Sequence, residues 1–476
     1  MARQPNILFV FTDQQRTDTM ACYGNEWVQS AHLNALADRS FVFENPYVAQ
    51  AVCTPSRGSL MTGLYPHSHG CVVNGIPLRE ETKTIAEMMP DTYRKAYMGK
   101  WHLGNDVFCQ HGFDEWISVQ DNLRPLYTKP DAPMSSHYEW LVEQGLEPPS
   151  DLMSGLKQFS AQDRAALSAE QQVGAFVANE ADRFIRENTD RPWLLVCSTF
   201  EPHPPYTGPH NGLYDSEELP VGPAFLEFPE GHSLFNRARA DHCATAVVAG
   251  EDLSTESGWR TVRAQYFGNV KIVDDAIGKM ITALEETGQI ENTIIAFTSD
   301  HGEMVGDHAM MEKRAFYEES ARVPFLLRVP WMNTTQKRIE GVFGHVDLIP
   351  TLLDLAGQPV PEACQGQSVA GALTGEMDLR DHAAFMEWNG IGDRNLGNPR
   401  INLMASLPWR AVVTGDRWKL NLCAGDQCEL FDLNTDPYEQ HNLFDDPAHR
   451  DRIRDMAAKI RLWQDETGDT APLPSL

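Results

Sequence analysis

Nowhere does the sequence string together the roughly eighteen apolar residues that a membrane-spanning helix requires, so no such helix is expected. Basic residues are scarce. There are 39 Lys and Arg against 67 Asp and Glu, a formal net charge of −28 over 476 residues. A protein that tracks phosphate backbones needs clustered cations, so nucleic acid is excluded as an extended partner, and the surplus charge is read as serving solubility. A composition of 42% hydrophobic and 22% charged residues is not that of a disordered or fibrous chain. No internal repeat or low-complexity tract is visible. A cleavable leader is not expected either: Met1-Ala-Arg-Gln-Pro5 passes directly into Asn6-Ile-Leu-Phe-Val-Phe-Thr12, a run of strand length. Nine cysteines, at positions 22, 53, 71, 109, 197, 243, 364, 423 and 428, are odd in number and irregularly spaced. That pattern suits reduced thiols in a cytoplasmic compartment, with Cys423 and Cys428 left unbridged.

What is present is organised around three apolar runs. Residues 6–12 end on Asp13, residues 193–200 on Glu201-Pro-His203, and residues 293–299 on Asp300-His301. Near-continuous Ile, Leu, Val and Phe is the pattern of a strand covered by helices on both faces. Helical spacing lies between the runs, over 33–40, around 171–188, and over 266–287 with Val270, Val273, Ile277 and Ile281 on one face. Alternating strands and helices indicate an α/β doubly wound core with a largely parallel sheet. In such sheets ligands bind beyond the carboxyl ends of the strands, and each of these ends carries Asp or His. From about residue 375 the texture changes. Residues 409–414, 418–422 and 429–433 are short and partly alternating, separated by Gly415-Asp416 and Gly425-Asp426, which predicts an antiparallel meander closed by a helix over 447–466. The expected division is therefore a catalytic unit over 1–375 and a small sheet plus helix over 376–476. Two Pro/Gly-rich stretches, 122–160 and 202–256, are expected to line or cover the site.

The strongest local signal is Cys53-Thr-Pro-Ser-Arg57 followed by Gly58-Ser-Leu-Met-Thr-Gly63. Taken alone, a lone Cys at a helix start is more often a buried thiol than a nucleophile. Asp13-Gln14 and Asp300-His301 follow two of the strands, and their oxygen donors suit a hard divalent cation. Asp13 alone would be read as a strand-end turn or helix-capping carboxylate. Lys100 and His102, two apart in Gly99-Lys-Trp-His-Leu-Gly104, point to one face of an extended segment and can reach one anion. His203 in Pro202-His-Pro-Pro-Tyr206 and Lys313 in Met311-Glu-Lys-Arg-Ala315 complete the set.

Cys-x-Pro-x-Arg with its Ser-x-x-Thr-Gly continuation resembles the signature of the formylglycine-dependent, type I sulfatase family of the alkaline-phosphatase superfamily. Matching segments run in family order from residue 6 to the closing segment Glu429-Leu-Phe-Asp through Leu443. The resemblance implies an alkaline-phosphatase-like α/β/α sandwich, with a large, mainly parallel mixed sheet and a small C-terminal antiparallel sheet. It implies that a formylglycine-generating enzyme oxidises Cys53 to formylglycine during maturation. One hydroxyl of the hydrated aldehyde attacks sulfur, and loss of the other's proton then expels sulfate. It implies one divalent cation, calcium first and Mg²⁺ or Mn²⁺ as alternatives, held by Asp13, Gln14, Asp300, His301 and the group made from Cys53. Arg57, Lys100, His102, His203 and Lys313 would contact or protonate the sulfuryl group and its leaving oxygen. Many relatives carry Asp-Asp and Asp-Asn where this chain has Asp-Gln and Asp-His, a pattern shared with choline-sulfatase and phosphonate-hydrolase branches and, for Asp-His, with glycan sulfatases.

The expected function is hydrolysis of an aryl, small alkyl or saccharide sulfate. Phosphonate monoester or phosphodiester hydrolysis is the alternative, which the Lys-x-His pair disfavours, and non-catalytic binding of a sulfated ligand is a minor one. Assembly of identical chains is left open. His67 and His69 are expected to pack or cap the signature helix, while Asp307-His308 is read equally as a substrate contact or as loop structure.

Overall fold

The structure, a computed structural model, describes residues 4–121, 123, 132–151, 157–332, 335–390 and 398–476. The main sheet is built from β1 (Asn6–Asp13), β2 (Phe41–Tyr47), β3 (Arg94–Gly99), β4 (Glu115–Ser118), β5 (Trp193–Pro202), β6 (Thr293–Ser299), β7 (Phe325–Arg328) and β8 (Lys337–Gly344). They lie in the order β8-β2-β7-β6-β1-β5-β3-β4. Only β7 runs against its neighbours, so the sheet is mixed and mainly parallel.

Both faces are covered, which is why the central strands read as continuous apolar runs. Ile7, Phe9 and Phe11 of β1 join Leu194, Val196, Ile294 and Ala296 beneath Leu60, Met61 and the helix Leu348–Leu355. Leu8 and Val10 turn the other way, with Leu195, Cys197, Ile295 and Phe297, against the helices Ala31–Ala37, Val173–Glu187 and Glu256–Glu286. The last of these starts ten residues before the expected position, because Trp259, Val262 and Tyr266 extend its buried face through a polar stretch.

A second sheet follows: β9 (Ala383–Asn389), β10 (Pro408–Thr414), β11 (Trp418–Leu422) and β12 (Glu429–Asp432), antiparallel in that order. The expected meander is its last three strands, and β9 was not anticipated. The helix Arg450–Thr467 closes it by packing Ile453, Met456, Ile460 and Trp463 on Val412, Leu420 and Leu430. Each of the two Pro/Gly-rich stretches also contains a helix. The stretch 202–256 contains the helix Leu234–Cys243, capped by Ser233, whose Phe235 and Ala238 pack on Trp388 and Trp409. The stretch 122–160 contains the helix Ser136–Glu143; residues 122, 124–131 and 152–156 of it lie outside the described residues. No described helix is long and apolar enough to cross a membrane, and none of the nine cysteines is joined in a disulfide.

Candidate active site

Four parallel strands, β6, β1, β5 and β3, are neighbours, so their carboxyl ends share one edge. Beyond them come Asp300-His301, Asp13-Gln14, His203 and Lys100 with His102. The strand alignment brings Lys100 in closely. Gly99 has φ +120° and a Cβ there would lie 1.8 Å from the Ser198 carbonyl oxygen, so only glycine lets β3 end against β5.

Cys53 opens the fully buried helix Cys53–Thr62. Pro55 sits in the first turn, where a missing N–H costs nothing. Gly58 is required because His69 lies on it: a Cβ would meet the His69 ring at 2.4 Å. Gly63, at φ +71°, ends the helix in the left-handed conformation. The signature is thus a device for burying a helix and aiming its N-terminus at the strand ends. Asn74 Oδ1 accepts from Thr54 N at 3.0 Å, satisfying one of the first free N–H groups.

Asp13, Cys53, Asp300 and His301 place ligand atoms within 4.8 Å of one another. Cys53 Sγ stands 3.3 Å from His301 Nε2 and 3.8 Å from Asp13 Oδ1. His301 Nδ1 faces the Gly302 carbonyl at 2.9 Å, which turns Nε2 toward the cluster. Gln14 Oε1 joins it by accepting from Lys313 Nζ at 2.9 Å, and the same ammonium lies 3.1 Å from Cys53 Sγ. These donors therefore already embrace a positive charge. Two carboxylates, an amide oxygen and an imidazole fit a divalent cation of the Ca²⁺, Mg²⁺ or Mn²⁺ kind.

Arg57 lies behind this set. It donates to Asp300 Oδ2 at 2.8 Å, Asp13 Oδ2 at 3.0 Å, the Lys100 carbonyl at 2.6 Å and Ser198 Oγ at 2.8 Å, with no exposed surface. It clamps the two carboxylates and does not line the cavity in front of Cys53. Lys100 Nζ also donates to Asp13 Oδ2. Burial and Cys53 both push the Asp13 carboxyl up, but Lys100, His203 and Arg57 prevail and hold it well below the usual carboxylate range. Burial likewise opposes ionisation of the Cys53 thiol, yet Lys100, Lys313 and His301 bring it well below its ordinary value. Asp300 goes the other way: burial and neighbouring Asp13 raise it.

Cys53, Lys100, His102, His203 and Lys313 line a cavity of about 730 Å³. Its outer wall comes from the stretches expected to cover the site, including Leu123, Pro204, Thr207 and Gly250. His102, at φ +58°, is held by its backbone N–H to Asp106 Oδ1 at 2.6 Å. Burial, then Lys100, lowers its ring to about 4, while burial raises Asp106 to about 7. His203 is half-buried, with Nδ1 on the Pro204 carbonyl at 2.8 Å.

The remaining candidates are structural. His67 pairs with Glu387 at 2.6 Å, and His69 packs on the signature helix. Asp307 binds Arg16 and Arg263 at 2.7 and 3.2 Å, and His308 stacks on Tyr317 with ring centres 3.9 Å apart. Sequence reasoning missed Asn74, Asp106, Tyr206 and Glu303. Glu303 closes the segment Thr298-Ser-Asp-His-Gly-Glu303, so its place two residues after His301 was the available signal.

Comparison with known proteins agrees with this geometry. The sulfatase family model matches residues 5–358, and the model of the N-sulphoglucosamine sulphohydrolase C-terminal region matches 306–466. An uncharacterised sulfatase of Escherichia coli, YidJ, is 30% identical over 98% of this chain and 88% of its own. The multifunctional alkaline phosphatase superfamily protein PehA of Trinickia caryophylli is 27% identical over 96% of this chain and 95% of its own. A phosphonate monoester hydrolase from Silicibacter pomeroyi superposes with a TM-score of 0.79 at 27% identity, covering 98% of this chain and 96% of that one. With the signature helix, the strand-end residues and a family match over residues 5–358, the chain belongs to the sulfatase family of the alkaline-phosphatase superfamily.

Proposed function

We propose that this chain hydrolyses a sulfate monoester, of an aryl, small alkyl or saccharide alcohol, through a nucleophile made from Cys53 by a formylglycine-generating enzyme. The observation that carries the reading is the placement of Cys53. It is buried at a helix N-terminus, with the Asp13, Asp300 and His301 donors on one side. On the other, Lys100, His102, His203 and Lys313 line the cavity with it. Asp13, Gln14, Asp300 and His301 would hold the divalent cation, calcium first, and that ion supplies positive charge beside the nucleophile and the sulfuryl oxygens. Lys100 and Lys313 neutralise sulfuryl charge from the cavity side. His102, neutral at pH 7, takes the proton from the remaining Cys53-derived hydroxyl when sulfate leaves. His203 or Lys313, both on the cavity wall, protonates or stabilises the departing alcohol oxygen. Arg57 keeps the two carboxylates in place.

A second reading, phosphonate monoester or phosphodiester hydrolysis, is favoured by the Gln14 and His301 pair and by the likeness to a phosphonate monoester hydrolase. The Lys100 and His102 pair favours the sulfatase, and the presence of Cys53 disfavours a purely binding role. Aryl, choline and saccharide sulfates assayed beside a phenyl phosphonate monoester and a phosphodiester decide between them. The proposal expects the highest kcat/KM on a sulfate ester, and a higher value on phosphonate or diester would replace it with the second reading.

A further inference from the structure

Glu303 has no exposed surface and no assigned part in the chemistry, yet three site-forming segments converge on its carboxylate. Oε1 accepts from the backbone N–H of Val305 at 2.9 Å and of Glu312 at 2.6 Å, the latter beside Lys313. Oε2 accepts from the Tyr206 hydroxyl at 2.7 Å, on the loop that carries His203, and from Gln14 Nε2. A carboxylate offers no donor, so only the amide NH₂ of Gln14 can face it. That fixes the amide the other way round at its far end: Oε1 is turned to Lys313 Nζ and the Cys53 cluster. Tyr206 OH, 3.4 Å from Gln14 Nε2, reinforces the same orientation.

We propose that Glu303 is a positioning residue that locks the Gln14 amide oxygen toward the cation site while tying down the loops of His203 and Lys313. The inference rests on the cation site proposed above. Its consequence is that the effect of substituting Glu303 depends on which residue stands at position 14. In Glu303→Gln the two backbone N–H groups keep the amide oxygen, so the new NH₂ takes the place of Oε2 and meets Gln14 Nε2 donor to donor. Gln14 then flips and presents NH₂ to the cation. In a Gln14→Glu background the same NH₂ finds an acceptor, and the other oxygen of the introduced carboxylate still faces the cation.

The test is Ca²⁺ affinity of the full chain, measured by chelator competition without substrate, for wild type, E303Q, Q14E and the double variant. Loss of an outer partner of a metal ligand typically costs about 10–100-fold in affinity. E303Q should lose about tenfold or more with Gln14 present and lose nothing in the Q14E background. An equal loss in both backgrounds would make Glu303 a general structural residue, and no loss in either would remove it from the site; both overturn the proposal. Should E303Q fail to fold, Glu303→Asp keeps the charge but withdraws the acceptor from Gln14, and unchanged Ca²⁺ affinity in that variant would overturn it as well. A wild-type chain that binds none of Ca²⁺, Mg²⁺ and Mn²⁺ would defeat the cation site itself, a failure read on wild type alone.

Discussion

His102→Ala separates the two halves of the proposed cycle. The imidazole is buried in the wall of the cavity, its backbone fixed by Asp106 and its ring against Cys53. Held at about 4, the ring is neutral at pH 7 and free to accept a proton. A base so far below the working pH is a weak one, so its loss should fall in the lower half of the general-base range, about 10²–10³-fold. That equals about 3–4 kcal/mol of barrier, confined to sulfate release. With an aryl sulfate, rapid-mixing kinetics should show one equivalent of phenol released quickly and then a stall. Mass spectrometry should find a sulfo group retained on the Cys53 peptide. His203→Ala should behave oppositely, its effect growing with the pKa of the leaving alcohol and no sulfo-peptide accumulating. Uniform slowing of the His102 variant, with no burst and no retained sulfo group, would refute the assignment and leave His102 as a sulfate contact beside Lys100.

Other expectations concern the nucleophile, the strand junction and a pH-sensitive pair. Cys53→Ser should release at most one equivalent of alcohol per active site, because a sulfated serine has no second hydroxyl with which to eliminate; sustained turnover would contradict the proposed chemistry. Gly99→Ala should cost more than about 4 kcal/mol, read as loss of soluble folded protein or a collapsed melting temperature, because its Cβ falls on the Ser198 carbonyl at 1.8 Å. Burial lowers the His67 ring, but Glu387 more than offsets this and raises it above its ordinary value. The stabilisation from that pair should be complete below about pH 6.5 and fade as pH rises through the raised value. Melting temperatures of His67→Gln and wild type should therefore converge toward high pH, and a constant gap across pH 5–9 would refute the linkage.

The parts of the fold that were legible are those set by local chemistry. β1, β5 and β6 could be read because burial on both faces forces a continuous apolar run, and their polar ends then mark the site. The signature helix was equally readable, since Pro55, Gly58 and Gly63 each answer a backbone or packing demand. Less legible were β2, β3, β7 and β8, whose residues are short or interrupted by charge, and the helix Leu234–Cys243, whose apolar face is only a few residues wide. Within the site, residue types named the donors but not their directions. Arg57 was expected at the sulfuryl group, yet its guanidinium faces Asp13 and Asp300, because two buried carboxylates side by side require a cation between them. Glu303 and Tyr206 escaped notice because their roles exist only through partners far away in the chain, whereas Asp106 acts locally, through the backbone N–H of His102 four residues before it. Glu303 and Gln14 are 289 residues apart.

The central claim, that the working nucleophile is made from Cys53, is tested most directly by the mass of the Cys53 peptide from chain purified in active form from its native host. The account predicts that this peptide has exchanged H₂S for O, as conversion of the thiol to an aldehyde requires. It further predicts that the converted fraction tracks specific activity on a sulfate ester. Active protein whose Cys53 peptide is wholly the unmodified thiol would contradict it.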